Sequence, residues 1–265
     1  MDLTGSLTWT RQPRRFCLEA DRVSITTDPH TDLWQRTYYH FRNDNAPLLQ
    51  METEERYFSF VVKTDFTESH HRFDQCGIVM YLDADNWLKA SVEYENERFG
   101  HLGSVVTNHG YSDWATTAIP ADVKTMWYRL SRREDDYCVE CSSDGVSFTQ
   151  MRVCHIWEGA GTIHFGVYAC SPEDSSFTAV FTHFAVTECA WKAHDGQQPE
   201  ELAPPRRTYG KNKKIKNNSS IQRGEAKWAF FQRSIVFVRP GNRPTSTTWS
   251  VSASRSGPCS PPPRS

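Results

Sequence analysis

At 265 residues, the chain has room for one large domain, or for one domain and an appendage. Its formal charge of −2 hides an asymmetry: residues 203–265 carry thirteen Lys/Arg against the single acid Glu225, and the 17 basic and 31 acidic residues before them leave the body near −14 and the tail near +12. No run approaches the roughly 20 apolar residues that a membrane helix needs, which excludes that class of span.

No apolar targeting segment follows Met1, so a soluble cytoplasmic protein is expected, with a nuclear location open to it through the basic tail. The eight cysteines (17, 76, 138, 141, 154, 170, 189 and 259) lie scattered in apolar runs and read as reduced, buried small side chains. Cys138 and Cys141 form a lone CxxC. On a strand, positions i and i+3 face opposite ways, so no metal is expected there.

In chain order, short strands are expected at 18–26, 34–41, 56–65, 75–82, 87–94, 103–107, 126–132, 137–142, 149–153, 162–169 and 179–187. Turn signals separate them, among them Asp28-Pro29, Asp83-Ala84-Asp85-Asn86, Ser143-Asp144-Gly145 and Ser171-Pro172. No long segment carries a 3.6-residue apolar stripe. The pattern is all-β: an antiparallel sandwich or jelly roll over residues 1–194. Residues 195–265, with KNKKIKNNSS and a Ser/Pro/Arg-rich end, read as a disordered basic tail. Within it Trp228–Val238 is apolar enough to anchor a protein partner, and the basic run could meet nucleic acid.

Candidate site residues come from face bookkeeping. In NWLKASVEY (86–94), Leu88, Ala90, Val92 and Tyr94 make one face, expected in the core, and Trp87, Lys89, Ser91 and Glu93 make the other. Lysine, glutamate and an indole sharing a face make a poor core and a plausible groove. Residues 32–38 split similarly, with Asp32, Trp34, Arg36 and Tyr38 together. Tyr38 and Tyr39 should then point opposite ways. Ser112-Asp113-Trp114 is read as a loop that offers an acid beside an aromatic. The expected ligand-binding set is Trp34, Arg36, Tyr38, Gln75, Lys89, Glu93, Asp113 and Trp114. Aromatic faces would stack on a sugar or polyol while charged groups bond its hydroxyls.

Several phrases, TDLWQRTYYHF (31–41), FDQCGIVMYLDADNWLKASVEY (73–94), SVVTNHGYSDW (104–114), WYRLSRR (127–133), SSDGVSF (142–148) and YACSPEDSSFTAVFTHF (168–184), resemble the domain-of-unknown-function family of regulator-of-enolase-like proteins. The resemblance covers about residues 5–192 and implies a concanavalin A-like lectin/glucanase sandwich, a fold whose ligands characteristically lie on the concave sheet. It implies no particular chemistry.

An enzymatic reading rests on EYENE (93–97), which is similar to the E-x-D-x-E motif of retaining glucanases, with Glu93 as nucleophile and Glu97 as acid/base. Asn96 and Gly100 signal a turn that would take Glu95 and Glu97 off the strand. No HExxH, GxSxG or P-loop occurs, so the expectation is a non-catalytic or regulatory module without cofactor. Asp83, Asp85 and Asn86 could offer oxygens to Ca²⁺, but they lack the Gly and Glu of an EF-hand loop and read as a plain turn.

Overall fold

A computed structural model describes residues 6–192. The boundary at 194/195, the basic tail and the apolar stretch 228–238 lie outside those residues. Among the described residues, no helix is long and apolar enough to cross a membrane.

Sixteen strands follow in order: β1 Thr8–Arg11, β2 Arg15–Glu19, β3 Arg22–Thr26, β4 Leu33–Gln35, β5 Arg42–Asp44, β6 Leu48–Thr53, β7 Tyr57–Asp65, β8 Gln75–Asp83, β9 Asn86–Tyr94, β10 Phe99–Asn108, β11 Tyr111–Pro120, β12 Thr125–Arg133, β13 Asp136–Ser142, β14 Thr149–His155, β15 Ile163–Cys170 and β16 Thr178–Glu188. They build two seven-stranded antiparallel sheets, ordered β1-β6-β15-β8-β9-β10-β11 and β14-β13-β12-β7-β16-β3-β2, plus the separate hairpin β4-β5. The architecture is the expected all-β sandwich.

The main core lies between the two sheets, and alternation places it there. Cys76, Ile78 and Met80 of β8 and Leu88, Ala90 and Val92 of β9 point inward against Phe58, Phe60 and Val62 of β7 and Tyr128 and Leu130 of β12. The opposite face of the first sheet is buried as well. There a second apolar cluster joins Val79, Tyr81, Trp87, Val105 and Tyr168 to Leu33 and Trp34 of β4 and to Ala46. The β4-β5 hairpin therefore lies over the outer face of this sheet, and its strands are short because they cover rather than extend it.

Three departures from the expected strands matter. The stretch 34–41 is not one strand: β4 stops at Gln35, and Arg36, Tyr38 and His40 take φ of 55°, 63° and 63° at the hairpin tip. Asp113 and Trp114 lie on the edge strand β11, not in a loop. β6, with Leu48 on the outer cluster and Leu49 in the main core, was not anticipated. Cys76, Cys138, Cys141, Cys154, Cys170 and Cys189 are free thiols.

Candidate functional site

The site grows from the outer faces of β8 and β9. Register sets Gln75 opposite Glu93, Gly77 opposite Ser91 and Val79 opposite Lys89. Gly77 is required there: a Cβ would stand 1.8 Å from the Ala90 carbonyl oxygen. The sheet thus offers a row of polar side chains on a floor that the hairpin only partly covers.

Gln75 organises that floor. Its Oε1 accepts from Lys89 Nζ at 3.1 Å, from the Tyr168 hydroxyl at 2.9 Å and from Ser91 Oγ at 3.4 Å. Its Nε2 donates to Glu93 Oε2 at 2.9 Å and to the Phe73 carbonyl at 3.2 Å. This pattern fixes both the orientation of the amide and the spacing of its neighbours. Lys89, 5% exposed, also donates to Asp32 Oδ1 at 3.2 Å. Burial alone would push its ammonium down, but the carboxylates of Asp32 and Glu93 outweigh that and hold it above the ordinary lysine value.

Glu93 has the opposite balance. Burial pushes its carboxyl up to about 7, aided by Asp32 and Glu95 and opposed by Lys89 and the Gln75 bond. Its Oε1 is buried without a hydrogen-bond partner, with His101 Nδ1 4.0 Å away. Trp34 Nε1 is a second buried atom without a partner. Both atoms belong to residues that line the cleft, and both are themselves buried.

Aromatic side chains wall the cleft. It encloses about 290 Å³ between Asp32, Gln75, Lys89 and Glu93 on the floor and Trp34, Tyr39, Phe41, Phe73, Val105, Trp114 and Pro172 around it. Trp34 meets Trp114 edge to face at 6.3 Å and Tyr39 at 5.5 Å. The Phe73 and Pro172 wall is held by Asp74, whose buried carboxylate accepts from Ser171 Oγ at 2.7 Å and from the His71 amide at 3.0 Å. Size and character match a small-molecule site: an apolar surround with a few placed polar groups.

Of the eight residues named from the sequence, Trp34, Gln75, Lys89, Glu93 and Trp114 line this cleft. Tyr38 and Asp113 line a shallower groove of about 390 Å³ beside it. Asp113 is exposed and paired with Arg152 at 2.9 Å. Arg36 lines neither, because it lies over the Tyr111 ring and donates to the Gly110 carbonyl at 3.4 Å. The left-handed residues of the tip break the alternation of 32–38 and bring Tyr39, not Tyr38, to the cleft. Asp32, grouped with Trp34 from the sequence but left out of the binding set, also lines the cleft, as do Phe41, Phe73 and Pro172, which only loop placement brings in.

The triple-acid row does not form. β9 ends at Tyr94, Glu95 pairs with Arg72 at 3.1 Å, and Glu97 is exposed. In the Asp83–Asn86 turn, Asp83 Oδ1 accepts from the Asp85 amide at 2.8 Å and from Asn86 Nδ2 at 3.0 Å, while Asp85 pairs with Arg42 at 2.6 Å. On the other sheet, Asp135, Asp136 and His155 bring possible metal-ligand atoms within 4.8 Å of one another, although His155 Nδ1 is already held 2.6 Å from Asp136.

Comparison with known proteins adds the relatives. The family model described as Protein of unknown function (DUF1349) matches residues 9–189. Over 193 residues the chain is 32% identical to Regulation of enolase protein 1 of Saccharomyces cerevisiae, covering 71% of this chain and 93% of that protein. A solved structure of a functionally unknown Saccharomyces cerevisiae protein superposes with a TM-score of 0.64 at 28% identity, over 70% of this chain and 97% of that one. The GH43 BlXynB protein from Bacillus licheniformis gives 0.54 at 19% identity, with 69% of this chain matching 37% of that chain, a likeness of fold alone. The chain belongs to the DUF1349 family of proteins of unknown function.

Proposed function

We propose that the cleft binds a small neutral carbohydrate or polyol, and that the domain is a non-catalytic, regulatory module. The observation that supports this most is the combination of aromatic walls with a pre-organised polar floor. A sugar ring offers C–H faces to the indoles and hydroxyls to Asp32, Lys89 and Glu93. The yeast relative's name favours regulation over catalysis.

Charge narrows the ligand class. Among the described residues that line the cleft, Lys89 is the one cation, and Asp32 and Gln75 already occupy it. A phosphate or carboxylate would meet Asp32 and Glu93 without a free basic partner. Calorimetric titration with neutral sugars and polyols, run beside sugar phosphates, tests the reading. Neutral compounds are expected to bind and the phosphates to bind more weakly. Trp114→Ala, on a half-exposed ring, should weaken binding by about 0.5–1.5 kcal/mol, roughly 2- to 12-fold in Kd. Tighter binding of the phosphates, or no binding by the neutral panel, would discard the reading.

A second reading, glycoside hydrolysis with Glu93 as general acid, is favoured by its carboxyl near 7 and by the Asp32 carboxylate in the same cleft. Release of nitrophenol from aryl glycosides, abolished by Glu93→Gln, would establish it.

A further inference from the structure

Exposure climbs steadily from the floor of the cleft to its rim. Gln75 and Lys89 are 2% and 5% exposed and Trp34 is 7%, whereas Trp114 reaches 40%, Tyr39 51% and Tyr38 81%. The deep end is closed by the sheet itself, with Tyr168 and Ser91 behind Gln75. A ligand therefore has one end buried and one end free.

What the free end meets is also built. Trp34, Tyr39 and Trp114 line the cleft on one side and the neighbouring groove on the other, so they form a shared ridge. Beyond the ridge the groove holds Tyr38, Thr37, Ser112 and Asp113. Tyr38 meets Tyr39 at 5.0 Å with their planes 89° apart, and Trp34 meets Trp114 at 81°. Near-perpendicular rings turn aromatic faces to both compartments.

The ridge is held rather than loose. The Arg36 amide donates to the Phe41 carbonyl at 2.8 Å and the His40 amide to the Arg36 carbonyl at 2.6 Å, closing the hairpin tip. Arg36 ties that tip to Gly110 and Tyr111. Three non-glycine residues in the left-handed region are a cost the fold sustains to present Tyr38 and Tyr39 where they stand. Exposed aromatic rings gathered at the mouth of a cleft mark a contact surface.

We infer that cleft and groove form one two-part site, which takes the terminal unit of a neutral oligosaccharide in the cleft and the adjoining unit in the groove across the Trp34–Tyr39–Trp114 ridge. This rests on the reading of the cleft as a sugar site and adds that the protein recognises a chain end. The cleft, at about 290 Å³, sits at the small end of ligand sites and suits one ring, and the groove adds about 390 Å³. In the groove Tyr38 would stack on the second ring, with Asp113 accepting from one of its hydroxyls.

Calorimetry with matched pairs decides the matter: glucose against maltose and cellobiose, xylose against xylobiose, and mannose against mannobiose. For the sugar that binds, the disaccharide is expected to be about tenfold tighter than the monosaccharide. Tyr38→Ala should remove most of that gain, bringing the disaccharide close to the monosaccharide in the same protein, and Tyr38→Phe should keep the gain because the ring does the stacking. Equal affinities for mono- and disaccharide, or a Tyr38→Ala protein that keeps the disaccharide preference, would overturn the two-part site and leave the single-ring reading standing. Failure of every probe to bind would overturn both.

Discussion

Arg132→Met is expected to destabilise the domain by about 3–5 kcal/mol, lowering Tm by roughly 6–20 °C. The Arg132 side chain is fully buried on β12. Its Nε donates to the Glu134 carbonyl at 2.7 Å and its Nη1 to the Glu55 carbonyl at 2.9 Å. Nη2 donates to the carbonyls of Gly159 and Gly161, both at 2.8 Å. One planar guanidinium thus ties the β12-β13 turn, the approach to β7 and the loop before β15. Methionine fills much of the volume but leaves four carbonyls without their donor; the bond to Gly159 is buried and the other three are partly buried, so water relieves part of the roughly 1–3 kcal/mol that each lost buried bond costs. Arg132→Lys should recover little, since a single ammonium cannot span acceptors arranged for a fork. Urea unfolding of the three proteins measures this directly. A loss below about 1 kcal/mol for Arg132→Met would show that solvent reaches those carbonyls and that the guanidinium is dispensable.

How legible the fold was depended on whether a strand has two unlike faces. β9 was legible over most of its length, because Leu88, Ala90 and Val92 enter the main core while Lys89 and Glu93 do not, although Tyr94 stays out of that core and Trp87 is buried in the outer cluster, not in the cleft wall. β6 was hidden because it opens on two adjacent leucines buried on opposite faces, Leu48 in the outer cluster and Leu49 in the core, which masks the short alternation of Leu49 and Met51 with Gln50 and Glu52. β11 was hidden for the opposite reason. It is an edge strand, mostly exposed, and its Ala-Thr-Thr-Ala sequence has no inward row to betray it.

The site divides along the same line. Lys89, Glu93 and Gln75 could be read because one sheet presents them, and sheet register is a local property. Phe73 and Pro172 could not, since they arrive on separate loops that only tertiary bonds such as those of Asp74 bring together. Tyr39 displaced Tyr38 at the cleft for a backbone reason. A side-chain count along 32–38 assumes extended residues, and Arg36 at φ 55° ends that assumption one residue after β4.

Glu93→Gln is expected to stabilise the domain at neutral and alkaline pH while leaving it nearly unchanged in acid. The folded carboxyl stands at about 7 against a reference value of 4.5. A raised value means that the folded state binds the proton more tightly than the unfolded chain does. The associated stability is therefore complete below about pH 4.5 and is lost as pH rises through 7. Glutamine does not titrate and mimics the protonated acid, so the variant should overtake the parent across that window, by up to about 3 kcal/mol above pH 8. The groups facing Glu93 are Lys89 on its own strand, Gln75 on β8, His101 on β10, and Asp32 and Glu95. All of them remain in the variant, so the difference between the two melting curves isolates the one carboxyl. Thermal unfolding at half-unit steps from about pH 4 to 8.5 supplies that difference. A curve of the opposite sign would mean that Glu93 is ionised in the fold and that Lys89 serves it as well as Asp32. Lys89 would then be shared between two carboxylates, and the raised carboxyl on which the general-acid reading rests would fall.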